Sequence, residues 1–164
     1  MLMENNDILI RLRYALDIKN NDMVEIFKLG GIETTKEEVL EILTKSTNDE
    51  AENEYIVKLN NMKLESFLNG FIIFKRGKQD PKPGLPESPP LSNECVNNFL
   101  LKKLKIALAL TSEDMIDILK EAGVTITKGE LSAILRKVGH KNYKECGDKY
   151  ARNFLKGLTI KYRG

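Results

Sequence analysis

The stretch Asn6–Lys45, NDILIRLRYALDIKNNDMVEIFKLGGIETTKEEVLEILTK, and the stretch Asn98–Lys137, NFLLKKLKIALALTSEDMIDILKEAGVTITKGELSAILRK, are one element written twice. Displaced by 92 positions they align without a gap, and 16 of the 40 pairs are identical. Among these are Leu12 with Leu104, Ala15 with Ala107, Leu16 with Leu108, Asp22 with Asp114, Met23 with Met115, Ile26 with Ile118 and Gly31 with Gly123. Most are core or turn types, so the duplication organises the fold. After a variable stretch the register resumes at a shift of 87, matching Phe67, Leu68, Gly70, Arg76 and Gly77 with Phe154, Leu155, Gly157, Arg163 and Gly164.

Between the copies, GKQDPKPGLPESPPLSNEC holds all five prolines of the chain. Proline fixes φ and removes a backbone donor, so this reads as an extended, semi-rigid spacer. The expected organisation is a first helical repeat at 1–77, a Pro-rich linker at 78–95 and a second helical repeat at 96–164. Each repeat reads as about four helices. Ile8, Leu9, Leu12, Ala15 and Leu16, with Leu100, Leu101, Leu104, Ala107 and Leu108, form the apolar stripe of a first helix, leaving Arg11, Arg13, Lys103 and Lys105 largely outward. A second helix carries Met23, Ile26 and Phe27, or Met115, Ile118 and Leu119, and stops at a glycine suited to a left-handed cap, Gly31 or Gly123. Thr35 with Glu38, and Thr127 with Glu130, have the spacing of capping boxes opening a third helix. The last helix begins near Asn61 or Asp148. Gly70 and Gly157 sit inside it, at about 1 kcal/mol against alanine, which predicts close helix approach or a ligand grazing the backbone. The fold class expected is all-α, two tandem homologous helical modules of about four helices each joined by a Pro-rich linker, packed about an approximate internal two-fold.

With 164 residues, 41% apolar and 30% charged, the chain has enough apolar surface for a core and enough charge for solubility. The longest unbroken apolar stretch, Ile106–Leu110, is far short of the roughly 20 residues that cross a bilayer. The segment 1–7 carries acids and amides where a secretory signal would carry basic and then apolar residues, so the expected location is the cytoplasm. Cys95 and Cys146 are too few for a disulfide framework or a cysteine-rich zinc module.

Several strings resemble a known family: MVEIFKLGG at Met23–Gly31, FIIFKRG at Phe71–Gly77, GHKNYKECGD at Gly139–Asp148 and RNFLKGLTIKYRG at Arg152–Gly164. They are similar to the YehS type of small bacterial proteins, a domain of unknown function in two tandem copies. The resemblance spans nearly the whole chain and implies bacterial origin. It brings no activity, substrate or cofactor to any residue.

The densest group of reactive types is GHKNYKECGDKY, with His140, Tyr143, Cys146 and Asp148. Cys146 activated by His140 would be a nucleophile, and His140, Cys146, Asp148 and Cys95 could supply a metal site, but neither has signature spacing. The plainer reading makes His140 and Asp148 backbone partners in the loop and Cys146 a small buried filler, with no cofactor and no metal. Gly30 and Gly31 follow no strand and precede no Gly-Lys-Ser, so a phosphate loop is unsupported. Asp22 and Asp114 fall in first turns, where the helix dipole accounts for them. The second and third helices resemble a helix-turn-helix. In repeat one the third helix offers Glu37, Glu38 and Glu41, which phosphate would repel; in repeat two it offers Lys128, Ser132 and Arg136.

The net charge of +2 conceals an asymmetry. Residues 1–77 hold 10 Lys or Arg against 14 Asp or Glu, and residues 96–164 hold 14 against 7. From Arg136 onward nine basic residues are opposed only by Glu145 and Asp148 and are interleaved with Tyr143, Tyr150 and Tyr162. That mixture suits phosphate contact with base stacking, so RNA or single-stranded DNA is the expected partner, with Lys141, Lys144, Lys149, Arg152 and Lys156 as its contacts. Protein interaction or self-association, and an enzyme using the His140/Cys146 loop, are the alternatives.

Overall fold

A computed structural model describes residues 4–44, 57–77 and 94–163. The proline segment 78–93 and the variable stretch 45–56 lie outside them. The described chain forms eight helices: α1 (Asn5–Leu16), α2 (Asn20–Leu29), α3 (Lys36–Leu43), α4 (Asn61–Arg76), α5 (Val96–Ala107), α6 (Ser112–Glu121), α7 (Lys128–Leu135) and α8 (Asp148–Arg163). Displacing α2 and α3 by 92 residues, and α4 by 87, gives the bounds of α6, α7 and α8. The molecule is therefore all-α and built from two tandem helical modules.

Local chemistry sets these boundaries. The first two helices of each repeat end in the same way: one residue turns left-handed and the amide after it reaches back five residues, from Ile18 to Arg13, Ile32 to Phe27, Leu110 to Lys105 and Val124 to Leu119. Glycine serves at Gly31 and Gly123 (φ 92° and 87°), whereas Asp17 and Ala109 take φ 51° and 52° without it. A buried apolar residue after the turn, Ile18 or Leu110, holds that conformation in place. Thr35 and Thr127 cap α3 and α7 by accepting the amides of Glu38 and Glu130. The complete reciprocal box occurs instead at α6, where Thr111 accepts the Asp114 amide and Asp114 accepts that of Thr111. The Thr111 amide foremost, and then the Thr111 hydroxyl, hold the Asp114 carboxyl below its usual range. Asn60, one residue before the expected start, caps α4 through the Lys63 amide.

The repeats interlock. α2 packs on α4 and α6 on α8 within their own repeats, but α1 lies chiefly against α8 and α5 against α4. Each repeat's first helix is thus covered by the other's last, and a single core runs through both, with Phe27, Phe67, Phe71, Phe99 and Phe154 fully buried. Leu12 and Leu104 are both completely buried. The helical glycines mark close helix approach: a Cβ on Gly70 would overlap the Ile26 carbonyl oxygen and lie 2.7 Å from the Gly30 nitrogen. One on Gly157 would overlap the Ile118 carbonyl oxygen.

A duplicated polar group lies inside this core. Asn6 donates to the carbonyls of Ile42 (2.7 Å) and Val57 (2.8 Å) and accepts the Leu59 amide (2.9 Å). Asn98 donates to Ile134 (3.1 Å) and Lys144 (2.9 Å) and accepts the Cys146 amide (2.7 Å). Each ties the end of the third helix to the segment entering the fourth. Being well bonded, each is stable in burial.

Candidate functional site

Two crossings join the repeats, and their side chains differ. At the α4/α5 crossing Lys103 is largely covered, its ammonium 2.6 Å from Asn69 Oδ1 and 3.5 Å from a carboxylate oxygen of the buried Glu65. Desolvation lowers the Lys103 pKa, and Glu65 opposes that shift. The expectation that Lys103 faces outward is therefore corrected: on an amphipathic helix a charged position is solvated only if no other element covers it. In the duplicated register Lys103, Glu65 and Asn69 correspond to Arg11, Arg152 and Lys156 at the α1/α8 crossing. All three counterparts are cationic and exposed. Arg152 pairs with Asp148, one turn earlier on α8. At the far end Arg163 lies 4.2 Å from the Tyr14 ring centre and 3.3 Å from Asp17, clasping α8 to α1. Its counterpart Arg76 donates to the Ile106 carbonyl (3.2 Å).

A second basic concavity lies within repeat two. A groove of about 550 Å³ between α5, the start of α6 and α7 is lined by Lys102, Lys105, Lys128 and Arg136, with Ser112 and Ser132 among its other walls. Lys102 is tied to Glu94 (2.7 Å) and lies 5.4 Å from the Tyr143 ring centre. Lys128 makes an exposed pair with Glu113 (3.1 Å), a type of contact worth little. Lys105 and Arg136 have no ion pair among the described residues, and the Arg136 Nε is shielded from solvent without a hydrogen-bond partner. At the matching places repeat one has Ile10 for Lys102, Leu40 for Ser132 and Thr44 for Arg136.

Of the four lysines and one arginine expected as contacts, Lys141 and Lys144 stand exposed in the α7–α8 loop, which the Lys144 amide ties to Ala133 of α7 beside the groove. Lys149, Arg152 and Lys156 fall at helical spacing along α8, and Lys156 faces the α1/α8 crossing instead. The five therefore divide between two places. Tyrosine stacking is less available than composition implies. Lys102 covers Tyr143, and Tyr150 packs on the core while donating to Glu130 (3.1 Å). Tyr162 is exposed. The only signal for Lys102 in the sequence was its change from Ile10; Lys105 replaces another cation, Arg13, and carried none.

The reactive loop separates by burial. Cys146 takes the place of Leu59 and is buried, and desolvation pushes its thiol up to about 12. His140 is exposed, its Nδ1 accepting the Asn142 amide (3.0 Å), and no hydrogen bond joins it to Cys146. Asp148 starts α8 and pairs with Arg152. Cys95 is exposed, with its thiol pKa raised by burial of part of its surroundings and by Glu145. Among the described residues no three His, Cys, Asp or Glu side chains converge as a metal site requires. No described helix is long and apolar enough to cross a membrane.

Compared with known proteins, the two helical repeats coincide with two matches to one family model, Protein of unknown function (DUF1456), at residues 5–77 and 97–164. The chain belongs to this family. A relative, the Uncharacterized protein YehS of Escherichia coli (strain K12), is 39% identical over 159 residues, covering 97% of this chain and 96% of that protein. No solved structure matches.

Proposed function

We propose that this DUF1456 protein binds single-stranded nucleic acid through its second repeat, with the phosphate backbone seated in the groove between α5, α6 and α7. The observation that carries this reading is the groove itself: four cations line a concavity whose counterpart in repeat one carries Ile10 and Leu40. A duplex major groove needs a protruding helix, whereas a flexible strand can enter a concavity. Lys105, Lys128 and Arg136 would be its main contacts, Lys141 and Lys144 extending them along the loop. Because two of the three tyrosines are engaged, charge rather than stacking would dominate.

The test is fluorescence anisotropy of the full chain with labelled oligo-dT and oligo-U of about 20 nucleotides, and with a duplex, from low salt upward. Binding should favour the single strands and weaken linearly with log salt, about 0.7 of a log unit per neutralised phosphate. Lys105→Gln/Lys128→Gln/Arg136→Gln should weaken it by about tenfold or more, equivalent to at least about 1.4 kcal/mol. The repeat-one control Arg13→Gln/Lys36→Gln should leave it unchanged. Absence of binding at low salt, or indifference to the repeat-two triple substitution, would favour protein association instead.

A further inference from the structure

The α1/α8 crossing carries a site of its own. A groove of about 520 Å³ opens there between the repeats, lined by Ile10, Arg11, Tyr14, Leu155, Lys156 and Ile160, with Thr159 beside them. Its volume lies in the range of small-molecule pockets, and its walls combine an apolar floor with two cations. Neither Arg11 nor Lys156 has an ion pair or hydrogen bond among the described residues, whereas Arg163, at the end of the groove, is engaged by Asp17.

The duplication indicates what fits. At the α4/α5 crossing the counterpart of Arg11, Lys103, meets a carboxylate from Glu65 and an amide from Asn69. At α1/α8 the place of Asn69 is taken by Lys156 and that of Glu65 by Arg152, so the protein supplies no carboxylate from those positions. A cation that the same frame neutralises internally on one side is left for an external anion on the other. Arginine is suited to that anion, because its planar guanidinium can grip a carboxylate through two parallel hydrogen bonds.

We propose that the α1/α8 groove binds a small amphiphilic monocarboxylate, its head between Arg11 and Lys156 and its apolar body against Ile10, Tyr14, Leu155 and Ile160. This site is independent of the nucleic-acid groove: Arg11 and the α1 wall belong to repeat one.

Titration calorimetry of the full chain with decanoate tests it, with decanol and decyltrimethylammonium as neutral and cationic analogues of the same tail. Decanoate should bind saturably at one site per chain, at least about tenfold tighter than either analogue. Arg11→Gln, an exposed substitution, should weaken decanoate by about tenfold while leaving oligonucleotide binding and the melting temperature unchanged. Ile160→Asp, at the mouth of the groove, should abolish it by repulsion. Equal binding of all three tails, no saturable decanoate binding, or full affinity in Arg11→Gln would each overturn the proposal.

Discussion

At the α4/α5 crossing a largely covered lysine meets a glutamate and an asparagine; at the α1/α8 crossing the same three places hold Arg11, Arg152 and Lys156, and the surface opens into a groove. The helical frame is common to both, fixed by paired glycines, caps and buried asparagines. Charge has diverged on top of it. One crossing has the chemistry of a lock and the other that of a binding surface, so the acidic and basic halves of the sequence are two uses of one scaffold.

Separating the repeats should have the largest effect. Residues 94–164 alone lose α4, the cover of α5, and should fail to give a cooperative thermal transition by circular dichroism. Pairing of repeat two with itself would set Lys103 against Arg152 and Lys156, so it should stay monomeric. Pairing of residues 1–77 with themselves would set Arg11 against Glu65 and Asn69, so this fragment should form a dimer by analytical ultracentrifugation, and mixing the two fragments should restore the helical signal. A stably folded, monomeric repeat two would break the comparison.

The interlock was not readable from the sequence, and the reason is physical. Stripes such as Leu9–Leu12–Leu16 state that a helix face is buried, and caps such as Thr35 and Gly31 state where helices begin and end, because those signals are local. Which copy covers the stripe depends on side chains far apart in the chain. For the same reason Lys103 reads as solvated until Glu65 is known to lie against it. The charge excess of repeat two was legible, but its division between the α5/α7 groove and the α1/α8 crossing was not. Cys146 as a buried filler was legible, since one histidine and one local cysteine underfill a thiol or a metal site.

Next in size is the buried asparagine pair, where the two repeats should respond alike. Asn98→Leu strands the Cys146 amide and the carbonyls of Ile134 and Lys144. At roughly 1 kcal/mol or more per buried unpaired group, the loss should be about 3 kcal/mol by urea denaturation. Asn6→Leu should cost a similar amount. A large difference between them would show that the frames are not equivalent.

Gly30→Ala sharpens the comparison from the other direction, because repeat two carries Ala122 at that place. In repeat one the new Cβ would overlap the Ser66 carbonyl oxygen and lie 3.3 Å from the Gly70 nitrogen. Destabilisation of about 1–3 kcal/mol is expected, despite alanine's better helix propensity.

The smallest effect concerns the thiols. Iodoacetamide at mild alkaline pH should modify exposed Cys95 well before buried Cys146, as read by peptide mass spectrometry. Folding holds the Cys146 proton to about 12, against an ordinary value of 9.0. Between these values the unfolded chain has released a proton that the folded chain keeps, so stability should fall as pH rises through that window. Cys146→Val should reduce the slope.

The most direct test of a duplicated frame with nucleic-acid binding confined to one copy is residue-resolved NMR of the full chain titrated with oligo-dT. Amide shifts should move at Lys102, Lys105, Ser132 and Arg136, and stay still at their repeat-one counterparts Ile10, Arg13, Leu40 and Thr44. Shifts spread equally over both sets, or none in the α5–α7 groove, would contradict it.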